Sequence, residues 1–207
     1  MRHALVVVDM QNDFIDGVFA NPEAQKIVPK VAEFIRKWEG PIYVTLDTHQ
    51  NWDWDRTSDE KVLQTEMEKL PKHCIKYTPG WLVAPEIVSA LSTKTHKVIE
   101  KGTFATNDLC FYHCIGCDSD MTSITLVGLC TDICVVSNAL KLVSENPYTT
   151  VRVISDLCAG TTPENHEAAL AVMRSCLVEV TDSHDLPEAV YKVVEEKEED
   201  GEEEDSC

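Results

Sequence analysis

The stretch VGLCTDICVVSNAL, residues 127–140, places a cysteine where a nucleophile could work. A strand is expected to end at Gly128–Leu129. Thr131 or Asp132 can then cap the following helix by accepting a backbone N–H bond. Cys134 falls in the first turn of that helix. The partial positive charge there favours thiolate over thiol, and N–H groups without helical partners can face a developing oxyanion. A lone cysteine at a helix start is more often a small buried apolar residue. Its neighbours in the fold decide between packing and chemistry.

A thiol that attacks at neutral pH needs a proton acceptor. Asp9, directly after the apolar run Ala4–Val8, can serve, although a strand-end aspartate is ordinarily a turn or cap residue. Lys101, in VIEKGTF, follows another short apolar run and would by default be a surface cation. Beside Cys134 and Asp9 it would favour the thiolate and meet developing negative charge. None of the seven histidines follows Cys134 in a recognised Cys–His arrangement.

A second group has the chemistry of a metal site. Asp47 and His49 are two residues apart at a strand end, so both side chains can face one way. TEMEKLPKHCIKYTPG, residues 65–80, adds Glu66 and His73, with Glu60 and Glu68 as close rivals to Glu66. Oxygen and nitrogen donors in this mixture suit zinc, manganese or iron, and they also scatter by chance over polar stretches. In CFYHCIGC, residues 110–117, Cys110, His113, Cys114 and Cys117 have the spacing of half a zinc site without a second half. The three cysteines fit one helix face and read as packing.

These residues need a frame to bring them together. Strands are expected at Ala4–Val8, Pro41–Leu46, Lys97–Glu100, Ile124–Leu129, Val151–Ser155 and Leu177–Val180, from short β-branched apolar runs. Helical spacing marks Glu23–Trp38, Pro85–Ser92, Asp132–Ser144 and Pro163–Cys176, the last with proline in its first turn. Regular alternation implies a three-layer α/β fold, with a mostly parallel sheet of about six strands between helices. Ligands bind beyond the carboxyl ends of such strands. Asp9, Asp47 with His49, Lys101 and the Cys134 stretch all lie at strand ends, and that coincidence is the main functional signal. Residues 50–80 form a long excursion, which in a compact domain usually has a job.

The 207-residue length suits one domain, taken as 1–194, followed by an acidic tail over 195–207. A formal charge of −18, much of it in EEKEEDGEEED at 195–205, argues against nucleic acid, whose phosphates need Lys and Arg. The tail reads as a solvated terminus. No apolar run approaches the roughly 20 residues of a membrane span. The N-terminal MRHALVVVDMQNDF reads as a core strand and not as a signal peptide, so a cytoplasmic location is expected. Nine cysteines without framework spacing suggest reduced thiols.

DMQNDF at 9–14, DTH at 47–49, EKGTF at 100–104 and GLCTDICV at 128–135 resemble the landmarks of the isochorismatase-like cysteine hydrolases, in the same order and spacing. The resemblance implies an Asp9–Lys101–Cys134 triad, a cis peptide between Leu129 and Cys130, and an oxyanion hole from the backbone N–H groups of Cys130 and Cys134. Relatives usually have alanine or another small residue at the position of Cys130. The DTH element followed by PKH and TPG resembles the metal site of the nicotinamidases, which implies one divalent metal on Asp47, His49, Glu66 and His73, with zinc first. Tyr77 stands where many relatives have glycine. PENHEAAL, residues 163–170, also resembles a nicotinamidase stretch, and His166 there reads as structural.

The implied reaction is hydrolysis of nicotinamide to nicotinate and ammonia through a thioester. Phe14 would line the ring pocket, with Phe104 and Trp52 or Trp54 as looser candidates. A small amide is then the partner, and a homo-oligomer stays open. Two alternatives remain: another small amide or ureido substrate on the same scaffold, or a binding protein that has kept the fold without catalysis.

Overall fold

The computed structural model describes residues 2–51, 69–107, 121–187 and 190. The apolar runs form six strands: β1 (Arg2–Val8), β2 (Ile42–Asp47), β3 (His96–Lys101), β4 (Met121–Leu129), β5 (Thr150–Ala159) and β6 (Glu179–Thr181). They lie in the order β3-β2-β1-β4-β5-β6, and every described pairing is parallel. The chain builds outward from β1 through β2 to β3, then crosses back to β4 on the other side of β1. This makes the β1–β4 junction the switch point of the sheet, where a crevice opens at the carboxyl ends.

Alternation along β1 divides the core. The short helix α1 (Asn12–Ile15) follows β1, and Leu5 and Val7 pack with α2 (Pro22–Lys37) and α3 (Pro85–Leu91) on one face. Ala4, Val6 and Val8 pack on the other with α4 (Val136–Glu145) and α5 (Pro163–Ser175). A fully buried side chain of this kind contributes about 1.5–3 kcal/mol. Asn21 caps α2 by accepting from the N–H of Glu23, and Thr162 caps α5 by accepting from that of Asn165. Among the described residues, no helix is long and apolar enough to cross a membrane.

Three elements differ from the sequence reading. β5 continues past Ser155 to Ala159, because its register against β4 shifts between Leu126 and Gly128 and Cys158 pairs with Gly128. β6 begins at Glu179 and not at Leu177. There α5 ends in a Schellman motif, with the N–H of Val178 bonded to Met173 O (3.0 Å), that of Leu177 to Arg174 O (3.2 Å), and Leu177 at φ 68° where glycine is usual. The turn Thr131–Val135 is wound as a π-helix, and regular α-helix starts only at Val136.

Gly128 has φ +119°. A Cβ there would meet Val8 O at 2.2 Å and Val8 N at 2.9 Å. Only glycine permits β1 and β4 to lie this close one residue before Asp9.

Candidate active site

Asp47 and Lys101 are register partners on β2 and β3, so their side chains leave the sheet on the same side. Lys101 Nζ lies 2.7 Å from Asp9 Oδ2 and 3.5 Å from Asp47 Oδ1. It also lies 3.5 Å from Cys134 Sγ. Asp9 leaves β1 at φ 47° and is held by Thr45, whose hydroxyl donates to Oδ1 at 2.7 Å. All five residues are buried. The Leu129–Cys130 peptide is cis, and Cys130 O accepts the N–H groups of Ile133 and Val135, each at 3.0 Å.

Burial pushes the Cys134 thiol well above its ordinary range; Lys101 opposes this, and Asp9 and Asp47 add to it. Burial likewise raises Asp9, against the pull of Lys101. Lys101 stays charged despite its burial, held up by Asp9, Cys134 and Asp47. Lys101 thus favours the thiolate, as expected, but burial outweighs it in the resting site. A carboxylate of raised basicity thus lies beside the thiol.

The capping expectation also changes. Neither Thr131 nor Asp132 caps the turn. The Thr131 hydroxyl is hydrogen-bonded to His166 Nδ1 at 2.8 Å, and Asp132 accepts the N–H of Thr161 at 2.8 Å. Both side chains tie the turn that carries Cys134 to α5 and the loop before it.

Asp47, His49 and His73 bring one ligand atom each to within 4.8 Å of one another, all buried. His49 Nε2 is 3.1 Å and His73 Nε2 is 3.2 Å from Asp47 Oδ2. His73 Nδ1 lies 2.7 Å from Pro71 O, which can only accept, so Nδ1 carries a proton. Nε2 then faces a carboxylate oxygen, and two lone pairs at that separation need a cation, a proton or a metal, beside them. Burial works to raise Asp47, but Lys101 and hydrogen bonds from His49 and His73 outweigh it and hold Asp47 well below the carboxylate range. A permanently ionised carboxylate with two imidazoles fits a divalent transition ion.

The two groups share a cavity of about 480 Å³ whose lining includes Asp47, His73, Cys130 and Cys134, with Phe14, Phe19, Phe104 and Ile133 as apolar walls. Phe14 and Phe104, the sequence candidates for a ring pocket, both line this cavity. Trp52, Glu66 and their rivals Trp54, Glu60 and Glu68 fall outside the described residues, as does CFYHCIGC. Tyr77 takes φ 69°, a conformation in which glycine is unstrained, with its ring edge-on to Trp81 at 5.8 Å.

Three further residues shape the site and were not singled out from the sequence. Gln11 is fully buried; its amide donates to Asp47 O and Trp81 O and accepts from Asp47 N–H. Asp13 is buried against the loop after His73. Phe19 stacks on Phe14 at 5.9 Å and meets the His73 ring edge-on at 4.9 Å. The signal for the first two was their place in DMQNDF, where polar side chains cluster just after a buried strand.

The isochorismatase domain family matches residues 3–185 of the sequence. The chain belongs to this family. It is 26% identical over 230 aligned residues to a nicotinamidase of Schizosaccharomyces pombe, covering 92% of this chain and 98% of that protein. The crystal structure of a pyrazinamidase of Pyrococcus horikoshii in complex with zinc is 26% identical, with a TM-score of 0.71 over 88% of this chain and 99% of its own. An N-carbamoylsarcosine amidase from Thermoplasma acidophilum is also 26% identical, with a TM-score of 0.69 over 90% of this chain and 99% of its own.

Proposed function

We propose that this family member is a nicotinamidase, hydrolysing nicotinamide to nicotinate and ammonia with Cys134 as nucleophile. The observation that carries the reading is the position of Lys101. One buried ammonium touches the acid (2.7 Å), the thiol (3.5 Å) and the Asp47 carboxylate of the metal-binding trio (3.5 Å).

Asp9 takes the thiol proton as sulfur bonds to the carboxamide carbon, and Lys101 stays beside the sulfur as its negative charge grows. The former carbonyl oxygen, now an oxyanion, is met by the backbone N–H groups of Cys130 and Cys134. Asp9 returns its proton to nitrogen, the C–N bond breaks, and ammonia leaves a thioester on Cys134. Asp9 next accepts a proton from water as the hydroxyl adds to the thioester carbon. The C–S bond breaks, Asp9 returns its proton to sulfur to restore the thiol, and the product acid loses its proton to solvent and leaves as nicotinate. Asp47, His49 and His73, with Glu66 as the expected fourth ligand, would hold a divalent ion, zinc first and manganese or iron next. Such an ion supplies a Lewis-acid contact for the pyridine nitrogen, while Phe14 and Phe19 flank the ring.

The test is release of ammonia and nicotinate from nicotinamide by the purified protein, with Cys134→Ala alongside. A wild-type protein inert to nicotinamide would sink the reading. Similarity to the Thermoplasma amidase favours a second one, a ureido substrate. Turnover of N-carbamoylsarcosine without turnover of nicotinamide would select it.

A further inference from the structure

Asp13 belongs to neither the Asp9–Lys101–Cys134 group nor the Asp47–His49–His73 group, yet it is a buried carboxylate a few ångströms from the loop that carries His73. Its Oδ2 accepts the N–H of Cys74 at 2.7 Å, and its Oδ1 accepts that of Val18 at 3.4 Å. Cys74 directly follows His73 and sits at φ 44°, a left-handed conformation that side-chain-bearing residues rarely hold without an external anchor. Val18 directly precedes Phe19, whose ring packs edge-on against His73. The carboxylate thus joins the two segments that fix the imidazole from the backbone side and from the ring side.

The seat for this carboxylate is built by glycines. A Cβ on Gly80 would lie 2.2 Å from both Asp13 oxygens, and one on Gly17 would lie 2.5 Å from Oδ1. The backbone is held as well, since Asp13 N–H donates to Gly80 O at 2.9 Å.

We infer that Asp13 is a positioning residue for the metal site: its carboxylate, through the Cys74 N–H, sets His73 Nε2 toward Asp47. The inference rests on the proposed metal site. Asparagine is nearly isosteric but cannot replace the carboxylate, because its NH2 must face one of the two backbone N–H donors. Charge-assisted acceptance by one carboxylate is what holds both segments at once.

The test is zinc titration of chelator-stripped full-length protein against a chromophoric competitor, for wild type, Asp13→Asn and His73→Ala. Thermal melting and the rate of Cys134 alkylation are measured on the same stripped samples. Asp13→Asn is expected to bind zinc about 10- to 100-fold more weakly, the range seen when partners behind metal ligands are removed. Cys134 alkylation should be unchanged, because Asp13 touches no member of that group. Wild-type zinc affinity in Asp13→Asn, with only the melting temperature lowered, would show a purely structural residue and overturn the inference. If His73→Ala binds zinc as wild type does, the metal site itself is wrong and this inference falls with it, a result distinct from failure of Asp13 alone. Should Asp13→Asn not fold, Gly80→Ala shifts the carboxylate without removing it. The same weakening of zinc is expected there, and folded Gly80→Ala with wild-type affinity overturns the inference.

Discussion

At the amino-terminal ends of the strands lies a cavity of about 960 Å³, lined by Arg2, Trp38, Tyr43, Lys94 and His96 among others. At the carboxyl ends lies one of about 480 Å³. The larger space carries its charges on exposed side chains such as Arg2, His96 and Lys97. The smaller one is lined by Asp47 and His73, and Asp47 is in turn paired with His49 and with Lys101, which holds Asp9; all five are buried. Burying charge is unfavourable unless each group is paired, and pairing several around one lysine constrains many residues at once. Volume therefore says little about where this molecule works; concentration of buried ionisable groups says much more.

The sharpest way to break that contrast is to substitute one residue at each end. Cys134→Ala should lower nicotinamide turnover by about 10⁴-fold or more with the fold intact. Lys97→Ala and truncation after Val194 should leave turnover at the wild-type rate. Appreciable turnover by the alanine variant, or a collapse on changing Lys97, would reverse the assignment of the two ends.

Lys101→Met is next in size. It removes the cation from two buried carboxylates, so turnover should fall on the order of 10²–10³-fold. Stability should fall by about 3 kcal/mol, the scale for breaking a buried pair by removing one partner. Urea unfolding checks the second figure, and a variant as stable as wild type would mean that Asp9 and Asp47 do not depend on Lys101.

Metal removal should act on binding before chemistry. Stripping the protein with dipicolinate should raise KM for nicotinamide about tenfold or more, with zinc restoring it. Unchanged kinetics after stripping would detach the metal trio from the reaction.

The smallest effect concerns His166, hydrogen-bonded to Thr131 in the turn that carries Cys134. Burial lowers its pKa in the folded protein. The unfolded chain therefore binds the proton first as pH falls. The associated stability is present above the ordinary imidazole pKa of about 6.5 and is lost below it. Melting temperature should drop between about pH 7.5 and about pH 5.5, and His166→Asn should shrink that drop. An identical drop in the variant would place the proton elsewhere.

Much of the site was legible because parallel strands announce their ends. A short apolar run broken by Asp9, Asp47 or Lys101 marks where the chain leaves the sheet, and all such ends lie on one edge. The same logic located β1 to β4 well. It failed where a tertiary partner overrides a local rule. Thr131 and Asp132 have the right chemistry to cap a helix, but His166 and Thr161 claim them and the turn winds as a π-helix. β5 outran its apolar pattern because a register shift against β4 absorbs extra residues. Asp13 carried no periodic signal at all, since its role comes from a loop about sixty residues away that spacing alone cannot bring near.

The missing side chain at Gly128 has a practical meaning for anyone redesigning this pocket. The lining can be varied at Phe104 to admit a different amide, because that side chain borders the cavity and is partly open to solvent. Residue 128 has no such latitude: even one methyl would wedge β1 from β4 and carry Asp9 away from Cys134 without altering either. The alignment of Asp9 with Cys134 is in this sense a machining tolerance, fixed by an absent carbon in the backbone layer beneath them. A mutational library that includes this codon would be expected to lose activity there in nearly every member, whatever substrate it is selected on.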